Sequence, residues 1–173
     1  MTKEIYLLGA GGHGKVVLDA LLSQAVQVTG ILDAHFKVGE SIFAVPVLGT
    51  DEMLNQSAAR SVVLVNGLGA NPSTQARKNL FEKMKAKDFS FYSVRHSSAV
   101  LGRDCHLGEG SQIMAGVVLQ NRVRLGVNTV INTRASVDHD GDLADHVFIS
   151  PGAVLCGNVK VGEGAFIGAG AIL

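Results

Sequence analysis

From Leu101 the chain reads LGRDCH, LGEGSQ, IMAGVV, LQNRVR, LGVNTV, INTRAS, VDHDGD, LADHVF, ISPGAV, LCGNVK, VGEGAF and IGAGAI, and ends on Leu173. Every sixth residue is a branched aliphatic: Leu101, Leu107, Ile113, Leu119, Leu125, Ile131, Val137, Leu143, Ile149, Leu155, Val161 and Ile167. Four positions after each comes a small or β-branched side chain, or a cysteine, from Cys105 and Ser111 through Ala165 and Ala171. A period of six fits neither an α-helix at 3.6 nor a strand at 2. It fits a triangular coil of short parallel strands, one hexad per face, with the aliphatic filling the interior. Twelve hexads at three per coil make four coils. At ~4.8 Å per coil they build a prism on the order of 20 Å tall.

Residues 1–94 have another texture. Glu4–Leu8 reads as an apolar strand, and Gly9–Leu22 as a glycine turn opening a helix. Val26–Leu32 reads as a second strand, closed by Asp33, before a loop that carries Pro46. A short helix is expected over Asp51–Gln56, capped by Thr50 or Asp51. A third strand covers Ser61–Val65, and a helix over Pro72–Lys87 puts Leu80, Phe81 and Met84 on one side. A fourth strand is expected over Phe89–Val94. Strands alternating with helices argue for a parallel sheet with helices on its faces. The expected organisation is an α/β domain over 1–94 and the hexad prism over 95–173.

Composition narrows the function. Lys plus Arg equals Asp plus Glu, 15 each, so nothing marks a nucleic-acid surface or a basic membrane face. No apolar run approaches the ~20 residues of a spanning helix, and the first residues lack the apolar stretch of a signal peptide. A cytoplasmic location is expected. Cys105 falls on an interior position and Cys156 just after one, so both are expected to be buried or inert. No Cys/His cluster has zinc spacing, so no metal is expected. His35, His96, His106 and His146 read as surface residues.

Two constellations carry chemistry. Gly9, Gly11 and Gly14 fit G-x-G-x-x-G between a strand and a helix, and Asp33 follows Gly14 by 19 residues. Backbone N–H groups at such a turn cradle a diphosphate, and the acid meets a ribose or base. A dinucleotide site needs two mononucleotide-binding halves, and only about one is present before the hexads begin. A dehydrogenase is therefore disfavoured, and one nucleoside diphosphate carrying a sugar suits the half-site. The same turn could instead only pack strand against helix. The second constellation is Asn132-Thr133-Arg134-Ala135-Ser136-Val137-Asp138-His139-Asp140. His139 takes an outward place in its hexad, between two acids. A carboxylate on one ring nitrogen fixes the tautomer and raises the basicity of the other, which suits a general base.

Gly11-Gly12-His13-Gly14-Lys15 ahead of a hexapeptide prism, with Asn-Thr-Arg-Ala-x-x-Asp-His inside it, resembles the nucleotide-sugar acetyltransferases of the bacillosamine, perosamine and sialic-acid O-acetyltransferase group. The resemblance spans nearly the whole chain. It implies a Rossmann-like α/β domain followed by a left-handed parallel β-helix. It implies acetyl transfer from acetyl-CoA, without a metal, to the amine of a UDP- or other nucleotide-linked 4-amino-4,6-dideoxy sugar. His139 would be the base, Asp140 its support and Asn132 an active-site asparagine. Gly12, His13, Gly14, Asp33 and Gly69 would bind the nucleotide sugar, with Asp33 on the base. Gly157 and Ala169 would belong to the acetyl-CoA site, Gly157 offering its N–H to the oxyanion. A homotrimer is implied, with coenzyme between neighbouring prisms. O-acetylation of sialic acid or another sugar, and a non-catalytic nucleotide-sugar-binding role, stand as alternatives.

Two features depart from the family pattern. Where members often carry a second histidine for acetyl-CoA, this chain has Phe148. The chain also stops as a new hexad opens, so further coils are expected beyond Leu173.

Overall fold

The computed structural model describes residues 3–173. Its first part is a six-stranded sheet. The strands are β1 (Glu4–Leu8), β2 (Gly30–Leu32), β3 (Ser41–Ile42), β4 (Val45–Gly49), β5 (Val62–Asn66) and β6 (Ser90–Phe91), in the order β3-β4-β2-β1-β5-β6. All pairs are parallel except β3 with β4. Two helices cover it, α1 (Gly12–Leu22) and α2 (Gln75–Lys85). Helix α1 buries Val17, Leu18, Ala20 and Leu21, and α2 buries Arg77, Phe81 and Met84.

Several expected elements change extent. The strand at Val26–Leu32 pairs only from Gly30, with one further backbone bond from Thr29 N–H to Ile5 C=O. The loop carrying Pro46 is in fact β4, laid beside β2 with the two-residue β3 on its outer side. Proline is tolerated there because β4 lies next to the sheet edge. The helix expected from Pro72 begins at Gln75, whose N–H is accepted by the Ser73 hydroxyl, while the Thr74 hydroxyl donates to Gly164 C=O. Asp51–Gln56 is a 3₁₀ turn, with the Thr50 hydroxyl accepting Glu52 N–H.

The expected strand Phe89–Val94 divides between the two parts of the molecule. Ser90–Phe91 closes the sheet, and Val94–Arg95 forms the first rung of the prism, paired with Gln112–Ile113.

The prism is a left-handed β-helix of three parallel sheets, one with five two-residue strands and two with four. The hexad aliphatics from Ile113 to Val161 are buried, and those on the end coils, Leu101, Leu107 and Ile167, are less so. Each hexad turns its corner three residues after the aliphatic, through a left-handed residue with φ between 54° and 70°. Seven of the twelve are not glycine: Asp104, Arg122, Asn128, Arg134, Asp140, His146 and Asn158. Three hexads of six make one coil of 18 residues, which places these corners in columns, each residue above the one 18 positions earlier. Cys105 is half-buried and Cys156 is exposed, so neither is fully buried as expected.

The three faces differ in what they present outward. One carries Val94, Gln112, Val130, Phe148 and Phe166 beneath the α/β domain, with α1 lying against its first rung. The second carries Val100, Val118, Ser136 and Val154, followed by Ile172 in a bridge to Val154. The third carries His106, Arg124, Asp142 and Lys160 into solvent.

Candidate active site

His139 and Asp140 form the corner between the second and third faces. The left-handed backbone at Asp140 turns its carboxylate back toward the ring, and His139 Nδ1 lies 2.9 Å from Asp140 Oδ2. The other carboxylate oxygen accepts from the Arg122 guanidinium, one coil below in the same column. The hydrogen bond to His139 first, and the hydrogen bond from Arg122 after it, hold the Asp140 carboxyl below its usual range. Asp138 Oδ1 accepts His139 N–H at 2.7 Å and braces the backbone. The imidazole packs against Gly157, where an added Cβ would stand 2.6 Å from Nε2. Nε2 is left free. This is the geometry of an oriented base: one nitrogen fixed by a carboxylate, the other available for a proton.

The second group of expected residues meets elsewhere. Gly12, His13, Gly69, Asn132 and Ala169 line one cleft of about 540 Å³ between the α/β domain and the prism, with Thr133, Phe148, Ser150 and Phe166. Gly12, His13 and Gly14 open α1 with no side-chain cap. The first N–H groups of a helix lack intrahelical partners and favour an anion. Gly14 itself is buried, its Cα pressed on Gly9 C=O so that no side chain fits. Phe148, the departure from the family pattern, stacks on Phe166 with ring centroids 5.7 Å apart and meets the His13 ring at 5.6 Å. It forms an aromatic wall of the cleft. Asn132 Oδ1 accepts Thr133 N–H, leaving its NH₂ as the donor.

Asp33 sits apart, in a smaller pocket of about 190 Å³ with Gly9, Leu32, His35 and Thr50. Its oxygens accept Ala10 N–H and His35 N–H, each at 2.7 Å. Burial pushes its carboxyl up, but these bonds outweigh it and hold the group below its usual range. Asp33 thus braces the glycine turn from the end of β2. His139, Asp140 and Gly157 are therefore one cluster, the cleft residues a second, and Asp33 a third.

A buried polar seam between the domains has no counterpart in the sequence reading. Arg77 is 1% exposed, and among the described residues no carboxylate pairs with it. It donates to Leu68 C=O at 2.6 Å, to Asn128 Oδ1 at 2.9 Å and, at 3.3 Å, to Asn66 C=O. Burial lowers its pKa to about 9. Gln112 Nε2 donates to Asn66 C=O at 2.6 Å, and Gln112 Oε1 lies 2.9 Å from His13 Nε2. At the far end, Asn128 Nδ2 meets His146 Nδ1 at 3.0 Å. His146, expected on the surface, is buried under α2 against the Phe81 ring. A polar Gln112 among the otherwise apolar residues of the covered face was the available signal.

A mononucleotide-sized α/β unit on a hexapeptide prism, with a carboxylate-held histidine at one corner, defines a left-handed β-helix acyltransferase. The family described as the PglD N-terminal domain matches residues 4–84, and the bacterial transferase hexapeptide family matches residues 143–173. The acetyltransferase domain of PglB from Neisseria gonorrhoeae FA1090, solved with acetyl coenzyme A, is 31% identical. Its TM-score is 0.88, over 99% of this chain and 82% of that one. A histidine-to-asparagine mutant of perosamine N-acetyltransferase from Caulobacter crescentus, solved with CoA and GDP-perosamine, is 32% identical. Its TM-score is 0.82, over 94% of this chain and 76% of that one. UDP-N-acetylbacillosamine N-acetyltransferase of Bacillus subtilis (strain 168) is 33% identical over 117 residues, 65% of this chain and 52% of that protein. The chain belongs to the hexapeptide-repeat N-acetyltransferases of nucleotide-linked sugars, the bacillosamine and perosamine group.

Proposed function

We propose that this protein transfers the acetyl group of acetyl-CoA to the amine of a nucleotide-linked 4-amino-4,6-dideoxy sugar, with His139 as general base. The observation that carries the assignment of the base is the His139–Asp140 pair seated on Gly157 with Nε2 free. The sugar amine attacks the thioester carbonyl, and His139 Nε2 takes its proton, directly or through water. The tetrahedral oxyanion is met by a backbone N–H, for which Gly157 is the candidate. Collapse breaks the C–S bond, leaving an amide, and the thiolate takes the proton from His139. Neither Cys105 nor Cys156 is needed as a nucleophile.

The nucleotide sugar would lie in the cleft, its diphosphate on the N–H groups of Gly12, His13 and Gly14 and its sugar toward Asn132 and Gly69. Asp33 would support the base end. Acetyl-CoA would reach Gly157 and Ala169. Asn132 and His139 stand at opposite edges of the second face, so one chain divides the site. That face presents Val100, Val154 and Ile172 exposed in a single row. Covering it with a second copy about a three-fold axis would bring His139 of one prism to the cleft of a neighbour, which supports a homotrimer. These co-substrates support a cytoplasmic location. No helix among the described residues is long and apolar enough to cross a membrane.

The test is thiol release from acetyl-CoA in the presence of 4-amino nucleotide sugars. Wild type should release thiol, and His139→Ala should lower kcat by about 10²–10⁴. Wild type that binds the nucleotide sugar but acetylates no amine or hydroxyl would mark a binding protein instead.

A further inference from the structure

We propose that Gln112 is a positioning residue that locks His13 as its Nε2–H tautomer, so that His13 offers a bare Nδ1 to the cleft and accepts a hydrogen bond from an N–H or O–H of the acceptor sugar. The Asn66 carbonyl can only accept, and it takes Gln112 Nε2–H at 2.6 Å. The Gln112 side chain is fully buried, so its amide keeps that orientation, and its oxygen must face His13. Gln112 Oε1 lies 2.9 Å from His13 Nε2 and can only accept, so His13 must donate there. In a neutral imidazole the other nitrogen is then a lone pair.

The ring is also kept from taking a second proton. Burial first, and the buried Arg77 charge after it, lower the His13 pKa to about 4. Arg77 holds Asn66 and Asn128 together at the root of the seam, and no carboxylate offsets its charge toward His13. Among the described residues Nδ1 has no partner, and it is not one of the buried unpartnered atoms, so it opens to the cleft that His13 lines. A lone pair facing the cleft repels a phosphate oxygen. His13 therefore serves the sugar, and the diphosphate falls to backbone N–H groups alone.

This inference rests on the amino-sugar reading above for the ligand, but the tautomer is read from the protein by itself. In protein carrying ¹⁵N-labelled histidine, long-range proton–nitrogen correlations at pH 7, assigned with a His13→Phe variant, should show Nε2 protonated and Nδ1 bare. Gln112→Met removes the acceptor and should let the Nδ1–H tautomer appear. An Nδ1–H tautomer or an imidazolium in wild type would overturn the proposal. Calorimetry supplies the ligand arm. His13→Phe should leave affinity for UDP and GDP unchanged and weaken a 4-amino nucleotide sugar by about two- to tenfold, the worth of one neutral hydrogen bond. Equal loss for the free diphosphates would place His13 on phosphate and overturn it. Gln112→Met should raise KM for the amino sugar and leave KM for acetyl-CoA alone; a change in both would make Gln112 merely structural. Absence of thiol release by wild type would defeat acetyl transfer without altering the tautomer result.

Discussion

Substitution of Gly157 by alanine isolates the placement of the base from its presence. An alanine Cβ would stand 2.6 Å from His139 Nε2 and 2.7 Å from Cε1. Ordinary contact begins near 3.4 Å, so the ring must retreat by about 0.8 Å. The obstacle is the outer end of a half-exposed side chain, not backbone, so the prism keeps its fold and the ring gives way. The backbone at Gly157 is not left-handed, so alanine adds no conformational strain there. A displacement of this size at a reacting group costs about 10²-fold in rate, set against about 10²–10⁴-fold for removing the base. Gly157→Ala should therefore lose about 10²-fold in kcat, with little change in thermal midpoint and KM for the nucleotide sugar. The thiol-release assay reads the rate, and the double variant Gly157→Ala/His139→Ala should fall no further than His139→Ala alone. Near-normal turnover in Gly157→Ala would mean that the position of His139 over Gly157 is unrelated to catalysis.

Asp140→Asn should lower kcat by less than His139→Ala, because the carboxylate orients the ring and does not receive the substrate proton. Arg122→Gln should raise the Asp140 pKa toward the usual carboxylate value, read by carbon NMR titration, since the guanidinium is one of its two hydrogen-bonding partners. Arg77→Lys should destabilise the protein by about 1.5–3 kcal/mol in urea unfolding, because an ammonium cannot span Leu68 C=O and Asn128 Oδ1 as the guanidinium fork does. Asp33→Ala should release the glycine turn at Ala10 and weaken nucleotide-sugar binding by calorimetry, with acetyl-CoA binding unchanged. His13 has a folded pKa lowered to about 4, so below pH 6.5 the unfolded chain takes a proton that the native chain refuses. Its contribution to unfolding free energy should fall as pH drops from 6.5 to about 4 and then level off. The difference between wild type and His13→Phe across that window measures it.

The prism was legible because its signal is a strict period: a slot every six residues can be filled only one way if the interior is narrow. The pairing of His139 with Asp140 was legible for the same reason, since neighbours at a corner are neighbours in space. The seam was not. Arg77, Gln112 and Asn128 come from a helix and two coils, and a single sequence has no register between them. Pro46 misled because a proline suggests a loop, whereas β4 has only a two-residue neighbour on its outer side. His146 misled because its hexad position points outward, and outward on that corner means under α2.

The corner columns explain how one repeat supports these different tasks. A left-handed residue other than glycine costs about 1–2 kcal/mol, least for Asn and Asp, so each of the seven is expected to return something. In the column Asp104, Arg122, Asp140 and Asn158, the return is the ion pair that holds the base. In the column Gly110, Asn128, His146 and Gly164, it is the bond that ties the prism to α2. Glycine stays where the α/β domain presses closest: a Cβ on Gly110 would meet Phe81 and Phe91 at 3.1 Å. The third column, Gly116, Arg134, Gly152 and Gly170, is mostly glycine beside the cleft, with Arg134 the exception. The hexad thus specifies the fold through its interior slots, and the same period, read 18 residues apart at the corners, sorts the base, the domain seam and the open cleft onto separate edges of the prism.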